Sequence, residues 1–183
     1  MGRAACYFCA VLLLLTLRPA TAADVPALVA LVNRAYRGEA ARQGWTTEAH
    51  LLDGPRIDEA ALHEMLAAPN AVILQAFSEA GGLVGCVYLQ PQAGRLYLGT
   101  LAVPPEAQAH GIGRHLLAEA ERQARQRSCS HVKITVLGAR PELVAWYERR
   151  GYALTGATEP FTADTRFGRP RQPLELLVLE KGV

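Results

Sequence analysis

The spacing of apolar residues near the start of the chain follows a helical period. Between residues 24 and 36 the apolar positions Leu28, Leu31, Val32 and Ala35 fall on one face of a helix. The polar segment that follows contains several glycines, and we expect it to form only short helices. The next helical pattern is DEAALHEMLAA, which a following Pro-Asn pair ends.

The pattern then changes to strands. Three apolar runs, AVILQAFSE, LVGCVYLQ and RLYLGTLAV, are separated by turn residues and predict an antiparallel meander. A helix ending near Arg127, the strand HVKITVL, the helix RPELVAWYERRG and the strand YALTGAT come next. A polar loop, EPFTADTRFGRPRQP, leads to a last strand, LELLVLE. Strands and helices interleave, so we predict a mixed α/β (α+β) fold with a largely antiparallel sheet.

The N-terminal residues allow two interpretations. MGRAACYFCAVLLLLTLRPATAAD has one early arginine, an apolar run and a small-residue site, ATA, as a secretory signal does. Alternatively, residues 13–18 form the first strand, and Thr21 begins the following helix with Asp24 as its capping partner. We favour the strand, because cleavage after ATA would remove it and leave a sheet edge unpaired. Residues 1–12 are then an apolar extension, and residues 13–183 form a single domain.

Composition narrows the class of protein. The chain has 183 residues, half of them hydrophobic and a fifth charged, with a net charge of +2, which is the composition of one soluble globular domain. This balance gives no reason to expect nucleic acid or a membrane as a partner. The four cysteines are scattered and form no zinc-type spacing. We therefore expect no metal site and a reducing compartment, the cytoplasm.

A pair of glycines marks the candidate binding site. In PPEAQAHGIGRHLLAEAERQA, two prolines end a strand, and Gly111 and Gly113 stand at the start of a helix. Bare backbone there exposes the unpaired N–H groups of the first helical turn to a bulky anion such as a pyrophosphate. Leu116 stands where a Rossmann loop needs its third glycine, and Gly-Arg-His replaces the Gly-Lys-Ser/Thr of a Walker loop. Close packing of the helix on the sheet is the other explanation of the glycines.

The segment LYLGTLAVPPEAQAHGIGRHLLAEAERQA resembles the acetyl-CoA motif of the GNAT superfamily of N-acetyltransferases. The motif Gln/Arg-x-x-Gly-x-Gly/Ala is met by Gln108, Gly111 and Gly113. The order of elements from residue 13 to residue 180 also agrees with that family. The resemblance implies a sheet of about seven strands flanked by helices, which splays at a bulge in the fourth strand. It also implies direct transfer of an acetyl group from acetyl-CoA to a primary amine, without a covalent enzyme intermediate.

The resemblance assigns the cofactor to two stretches of backbone. The end of the fourth strand would pair with the pantetheine arm as a neighbouring strand does, and the glycine loop would hold the pyrophosphate. The cofactor-binding residues expected in this way are Leu101, Ala102, Val103, Gln108, Ala109, His110, Gly111, Ile112, Gly113 and Arg114.

The resemblance also implies catalytic residues. Tyr147 stands where the family usually carries a hydroxyl that protonates the leaving CoA thiolate; packing on a helix face is the other explanation of this ring. Tyr97 occupies the position at which some relatives carry a glutamate base. The base therefore stays open, with Glu48, His50, Asp53 or ordered water as candidates.

In this family the acceptor pocket is built from the first helix–loop–helix and from the loop between the last two strands. Trp45, Glu48 and Phe161 are the candidate acceptor contacts in these segments, although anchoring of the loops would also explain the aromatic residues. The acceptor is a small amine, an amino acid or a protein amino group. Pairing of two copies as a homodimer is a common arrangement in the superfamily. A non-catalytic acyl-CoA-binding sensor is the alternative function.

Overall fold

The computed structural model describes residues 14–161 and 167–183, so the expected extension at residues 1–12 lies outside the described residues. Seven strands form the main sheet. In chain order they are β1 (Thr16–Pro19), β2 (Val72–Phe77), β3 (Leu83–Gln92), β4 (Arg95–Ala102), β5 (His131–Leu137), β6 (Ala153–Pro160) and β7 (Glu175–Gly182). Across the sheet their order is β1-β2-β3-β4-β5-β7-β6. Only the β4–β5 pair is parallel among these strands, which confirms the predicted mixed, mostly antiparallel sheet.

Helices cover both faces of this sheet. They are α1 (Val25–Tyr36), α2 (Gly38–Ala41), α3 (Glu59–Ala67), α4 (Ile112–Gln126) and α5 (Pro141–Glu148). The apolar face of α1 packs with α3 on one side of the sheet, where Leu28 and Val32 are fully buried. Helix α4 packs on the other side through Leu116, Leu117 and Ala120. No helix within 14–161 and 167–183 is long and apolar enough to cross a membrane.

Among the described residues a first strand is present, but it spans Thr16–Pro19 and begins later than the expected 13–18. β1 pairs antiparallel with β2, and Thr16 lies opposite Phe77. Asp24 accepts hydrogen bonds from the backbone N–H of Thr21 at 2.8 Å and from its hydroxyl at 2.9 Å. Asp24 also forms an ion pair with Arg18 at 2.7 Å, and this guanidinium holds the pKa of Asp24 well below its usual range. The predicted capping pair therefore exists, and it caps a short 3-10 turn, Ala22–Asp24, that leads directly into α1.

Two short strands that the sequence pattern does not predict join the two segments expected to contact the acceptor. These are the segment between α1 and α3 and the loop before the last strand. Leu52–Asp53 pairs antiparallel with Arg169–Pro170, apart from the main sheet. The Arg171 guanidinium adds a hydrogen bond of 3.1 Å from Nε to the Asp53 carboxylate. Each strand has only two residues, too few for an alternating pattern to be visible.

β6 forms one edge of the main sheet, and its pairing is irregular. Its register with β7 shifts between Leu154 and Thr158, and Gly156 lies in that interval with φ +81°. The strand ends at Pro160.

The sheet opens between its two parallel strands. Arg95–Leu98 of β4 pairs with His131–Ile134 of β5, and no pairing of these strands is present beyond Leu98 and Ile134. β5 continues to pair with β7 as far as Leu137. One edge of β4 is therefore left without a strand over its last residues.

A bulge in β4 lies at the point of separation. Between Gly99 and Ala102, β4 places two residues, Thr100 and Leu101, opposite the single residue Val87 of β3. Thr100 has φ +46°, in the left-handed region. Such a bulge bends a strand and increases its twist. The splay predicted for the fourth strand is confirmed.

Helix α4 approaches β3 very closely at Gly85. A Cβ atom at this position would lie 3.0 Å from Ile112 Cγ2, 3.1 Å from Leu116 Cδ1 and 3.1 Å from the Ala102 carbonyl oxygen. Gly85 therefore sets how deeply the first turn of α4 sits against the sheet.

We expect Gly85→Ala to lower the free energy of unfolding by about 1–3 kcal/mol, because the added methyl overpacks a tight contact. Urea unfolding followed by circular dichroism measures this change. Gly82→Ala is the matched control, since its Cβ would meet only Ser78 Oγ at 3.5 Å. Equal effects of the two substitutions would show that the close approach at Gly85 does not constrain the fold.

Candidate active site

A cleft of about 450 Å³ lies where β4 and β5 separate. Its walls are the end of β4, the loop that follows, the first turn of α4, helix α5 and the C-terminal end of α1 with the next segment. Of the cofactor residues expected from the sequence, those that line the cleft are Leu101, Val103, Gln108, Ala109, Gly111, Ile112, Gly113 and Arg114.

Two of the expected cofactor residues do not line the cleft. Ala102 is buried, and its carbonyl oxygen lies toward Gly85 on β3. The His110 side chain is exposed, with Nδ1 at 3.4 Å from the Ala107 carbonyl oxygen. The open edge of β4 is therefore formed by Leu101 and Val103.

The glycine loop leaves a set of N–H groups unpaired at the start of α4. Ala109 and Gly111 have φ +64° and +88°, and Gly111 is the N-terminal cap of the helix. The first hydrogen bond of the helix runs from the His115 N–H to the Gly111 carbonyl at 3.0 Å. Within the described chain, no backbone N–H from 109 to 114 donates to another protein group. Together with the positive end of the helix dipole, these donors suit a polyanionic group.

Side chains contact the open edge of β4. The Tyr36 hydroxyl donates to the Leu101 carbonyl at 2.9 Å, and Gln108 Nε2 donates to the Val103 carbonyl at 3.0 Å. Each carbonyl oxygen has a second lone pair and can accept a further hydrogen bond. Gln108 Oε1 accepts from the Trp45 N–H at 3.1 Å. The Gln108 side chain therefore links the end of β4 to the segment after α2, and the unpaired backbone N–H groups are those of residues 109–114.

Tyr147 presents its hydroxyl to the cleft. The side chain is 5% exposed, and its ring meets Trp146 and Tyr152 edge-on, with centroids 4.9 and 5.6 Å apart. Among the described residues the hydroxyl has no hydrogen-bond partner, and burial raises the pKa of Tyr147 above its ordinary value. The ring thus packs in the core while the hydroxyl is available as a protonated donor.

Trp45 and Trp146 face each other across the cleft. Their ring centroids are 6.4 Å apart with an interplanar angle of 28°. The Arg150 guanidinium lies 3.6 Å from the centroid of the Trp146 ring. Trp45 remains 47% exposed. The acceptor segment and α5 therefore meet through stacked indoles, a contact that the sequence did not reveal.

Glu48 lies in a buried ion cluster and does not line the cleft. Its carboxylate is 2.9 Å from Arg37 Nη2, 2.9 Å from Arg140 Nη1 and 3.9 Å from Arg56 Nε. The carboxylate is engaged by these cations and has no contact with the cleft. We therefore assign it no role as a base. Arg140, the residue before α5, does line the cleft.

The other candidates for the base or the acceptor contacts lie away from the cleft. The Tyr97 hydroxyl is 3.4 Å from Thr135 Oγ1, between β4 and β5. Phe161 packs against a small apolar cluster beneath the last loop. His50 is exposed, and Asp53 pairs with an arginine of the last loop.

The described lining of the cleft is cationic and contains no cysteine. Arg114, Arg140 and Arg150 line it, and its described lining contains no Asp, Glu or His. Cys86 and Cys129 are buried outside it, and burial raises the pKa of the Cys86 thiol to about 12. The described ranges hold no group of three His, Cys, Asp or Glu that could bind a metal.

Residues 31–152 match the family model described as the acetyltransferase (GNAT) family. The chain belongs to this acetyltransferase family. The family expected from the sequence is thus confirmed. An acetyltransferase of Agrobacterium fabrum is 36% identical over 86 residues, which are 47% of this chain and 58% of that protein. The chain thus matches little more than half the length of that relative.

Solved structures of the family share the whole fold. A ribosomal-protein-alanine N-acetyltransferase from Brucella melitensis is 25% identical, with a TM-score of 0.66 over 92% of this chain and 99% of that one. A phosphinothricin acetyltransferase from Sinorhizobium meliloti, in complex with acetyl-CoA, is 20% identical, with a TM-score of 0.67 over 92% and 88%. An N-acetyltransferase from Thermoplasma acidophilum, in complex with coenzyme A, is 17% identical, with a TM-score of 0.68 over 93% and 99%. These likenesses agree with the fold expected from the sequence.

The two tryptophans of the chain both line the cleft, so intrinsic fluorescence should report its occupation. We expect acetyl-CoA to change the emission, with a shift to shorter wavelength as water leaves the half-exposed Trp45. Titration of the chain under excitation selective for tryptophan measures this change, and Trp45→Phe isolates the contribution of Trp146. Binding detected by calorimetry without any change in emission would place the ligand elsewhere.

Proposed function

We propose that the chain is an acetyl-CoA-dependent N-acetyltransferase that moves the acetyl group directly to a primary amine. The observation that carries this proposal is the open edge of β4 beside a loop of unpaired N–H groups at the start of α4. The open strand edge suits an extended chain that contains amides, and the loop of unpaired N–H groups suits a pyrophosphate. Coenzyme A joins these two groups in one molecule.

The proposed cofactor position follows from these two features. The pyrophosphate would accept hydrogen bonds from the backbone of 109–114, with Arg114 nearby at the cleft wall. The pantetheine amides would pair with Leu101 and Val103, whose carbonyls retain a free lone pair. The thioester would then lie near the β4 bulge, close to the Tyr147 hydroxyl.

The chemistry needs a donor for the leaving group. The amine nitrogen attacks the thioester carbonyl, a C–N bond forms, and the C–S bond breaks to release CoA thiolate. A thiol of reference pKa about 8.5 leaves more easily when a hydroxyl protonates it. In our proposal the Tyr147 hydroxyl donates a hydrogen bond to the departing sulfur and passes its proton to the thiolate, and the phenol regains a proton through the water that took one from the amine.

The acceptor must lose a proton before attack. A lysine-like amine of pKa about 10.4 requires roughly 4–5 kcal/mol to lose its proton at pH 7. Because the described lining of the cleft contains no Asp, Glu or His, we propose that water takes this proton.

Direct transfer is favoured over a thioester intermediate on the enzyme. The two described cysteines are buried and lie outside the cleft lining. A buried thiol with a raised pKa is a weak nucleophile. Because acetyl-CoA is an intracellular metabolite, we propose a cytoplasmic location.

Gly113→Ala tests the cofactor site without disturbing the fold. Its Cβ would lie 3.6 Å from Trp146 Cζ2, an ordinary contact. We expect calorimetry to show affinity for CoA and acetyl-CoA lower by about tenfold or more, because the methyl blocks approach to the backbone donors. Gly82→Ala serves again as a control, with wild-type affinity. Folded protein that binds neither form of CoA would refute the proposed function.

Tyr147→Phe tests the chemical step. We expect kcat to fall by about 10²-fold or more with acetyl-CoA affinity retained, because a donor is lost while the ring still packs. The pKa of Tyr147 is raised, so its donating form persists at high pH. Wild-type kcat/KM should therefore rise with pH toward the pKa of each amine, without a loss below pH 10.

Release of CoA thiol against a panel of amines measures these rates. An unchanged kcat in Tyr147→Phe would remove this residue from the mechanism. Tight CoA binding with no thiol release from any amine would favour a non-catalytic acyl-CoA sensor.

A further inference from the structure

A cluster of arginines lies beside the cleft on the acceptor side. Arg37, Arg56 and Arg140 surround the single carboxylate of Glu48. The guanidinium carbons of Arg56 and Arg140 also lie 5.4 and 5.8 Å from the centroid of the Tyr36 ring. The cluster therefore brings together the end of α1, the acceptor segment and the start of α5.

The cluster has more positive than negative charge. Besides Glu48, the only carboxylate near it in the described ranges is that of Glu142, 3.9 Å from Arg140 Nε and 41% exposed. Arg37 is 6% exposed, and its Nε and Nη1 atoms are buried without a hydrogen-bond partner. Buried guanidinium groups without enough anions are costly. A bound anion would remove part of this cost.

Arg56 is the member best placed to accept such an anion. Its side chain is 29% exposed, and its contact with Glu48 is the longest of the three. In the part of the chain that the structure describes, none of its guanidinium nitrogens donates a hydrogen bond. The planar fork of an arginine matches a carboxylate, which can accept two parallel hydrogen bonds.

The cluster is close to the proposed reaction centre. The Tyr36 ring lies against Arg56 and Arg140, and its hydroxyl contacts Leu101 at the β4 bulge. One phenol ring therefore separates the arginines from the strand along which the thioester would lie. Arg140 and Tyr36 line the cleft, whereas Arg56 lies outside its described lining. Arg140 Nε and Nη2 donate to Thr46 Oγ1 at 3.2 and 2.8 Å. A group held by these arginines would place a nearby amine toward the bulge.

We propose that Arg56 and Arg140 form a carboxylate subsite, which selects acceptors that carry a carboxylate close to the amine, as a free amino acid does. This inference rests on the proposed acetyltransferase function and names its substrate class. Glu48 acts as a positioning residue that holds the two guanidinium groups. A protein N-terminus, whose first carboxyl group is in a peptide bond, would lack the recognised group.

The test compares acceptors that differ only in charge. Thiol release is measured with a panel of free amino acids, their α-amides and a short peptide. We expect kcat/KM for the preferred amino acid to exceed that for its amide by about 10- to 100-fold. The amide has the more acidic ammonium group and so more free amine at pH 7, so intrinsic reactivity opposes this preference.

Arg56→Gln should abolish the preference and leave the KM for acetyl-CoA unchanged. Arg42→Gln is the matched control, because Arg42 lies in the same segment but pairs on the surface with Glu39 at 3.1 Å. A merely structural role for Arg56 would instead lower the melting temperature and slow all acceptors alike. That pattern, or equal rates for acids, amides and the peptide, would overturn the proposal while the acetyltransferase function stands.

A second measurement does not depend on turnover. Calorimetry of the CoA-saturated enzyme compares N-acetylated amino acids with their amides, which mimic the products. We expect only the acids to bind, and Arg56→Gln to lose this binding. If the acids and the amides bind equally, the proposed carboxylate subsite is wrong. If the enzyme does not bind CoA, the acetyltransferase function itself is refuted.

Discussion

The separation of two parallel strands is the constraint on which the rest of this structure depends. β4 and β5 share four paired positions and then diverge, so the last residues of β4 have backbone groups on one edge without a strand partner. Buried backbone groups of this kind need other partners. Tyr36 and Gln108 supply one hydrogen bond each to Leu101 and Val103, and the edge keeps the capacity to accept an extended ligand.

The two walls of the cleft are joined by polar and aromatic contacts. Glu48 links Arg37, just after α1, to Arg140 at the start of α5. Trp45 stacks on Trp146 above this ion cluster. The segment after α2 and helix α5 are therefore mechanically coupled, and movement of either wall changes contacts of the other.

Local patterns made much of the fold predictable. The strand His131–Leu137 has the predicted bounds, and α1 begins one residue after its predicted start. The glycine loop was also predictable, because its two glycines and the helix start beside them are neighbours in the sequence. The resemblance to a family supplied the splay and the role proposed for Tyr147, which periodicity alone does not contain.

Contacts between distant residues were not predictable. Glu48 and Arg140 are 92 positions apart, and neither shows a pattern that indicates burial; charged residues of this kind usually lie on the surface. In the sequence, Tyr36 is the last position of an amphipathic helix, and this pattern does not predict its contact with β4. The two-residue strands and the stacked indoles likewise arise only when the folded chain brings remote segments together.

The irregular edge strand limits how copies of this domain can associate. An exposed strand with continuous, regularly spaced hydrogen-bonding groups invites another chain to extend the sheet. β6 interrupts that spacing near Gly156 and stops at a proline, which has no N–H to donate. Sheet extension through this edge is therefore disfavoured.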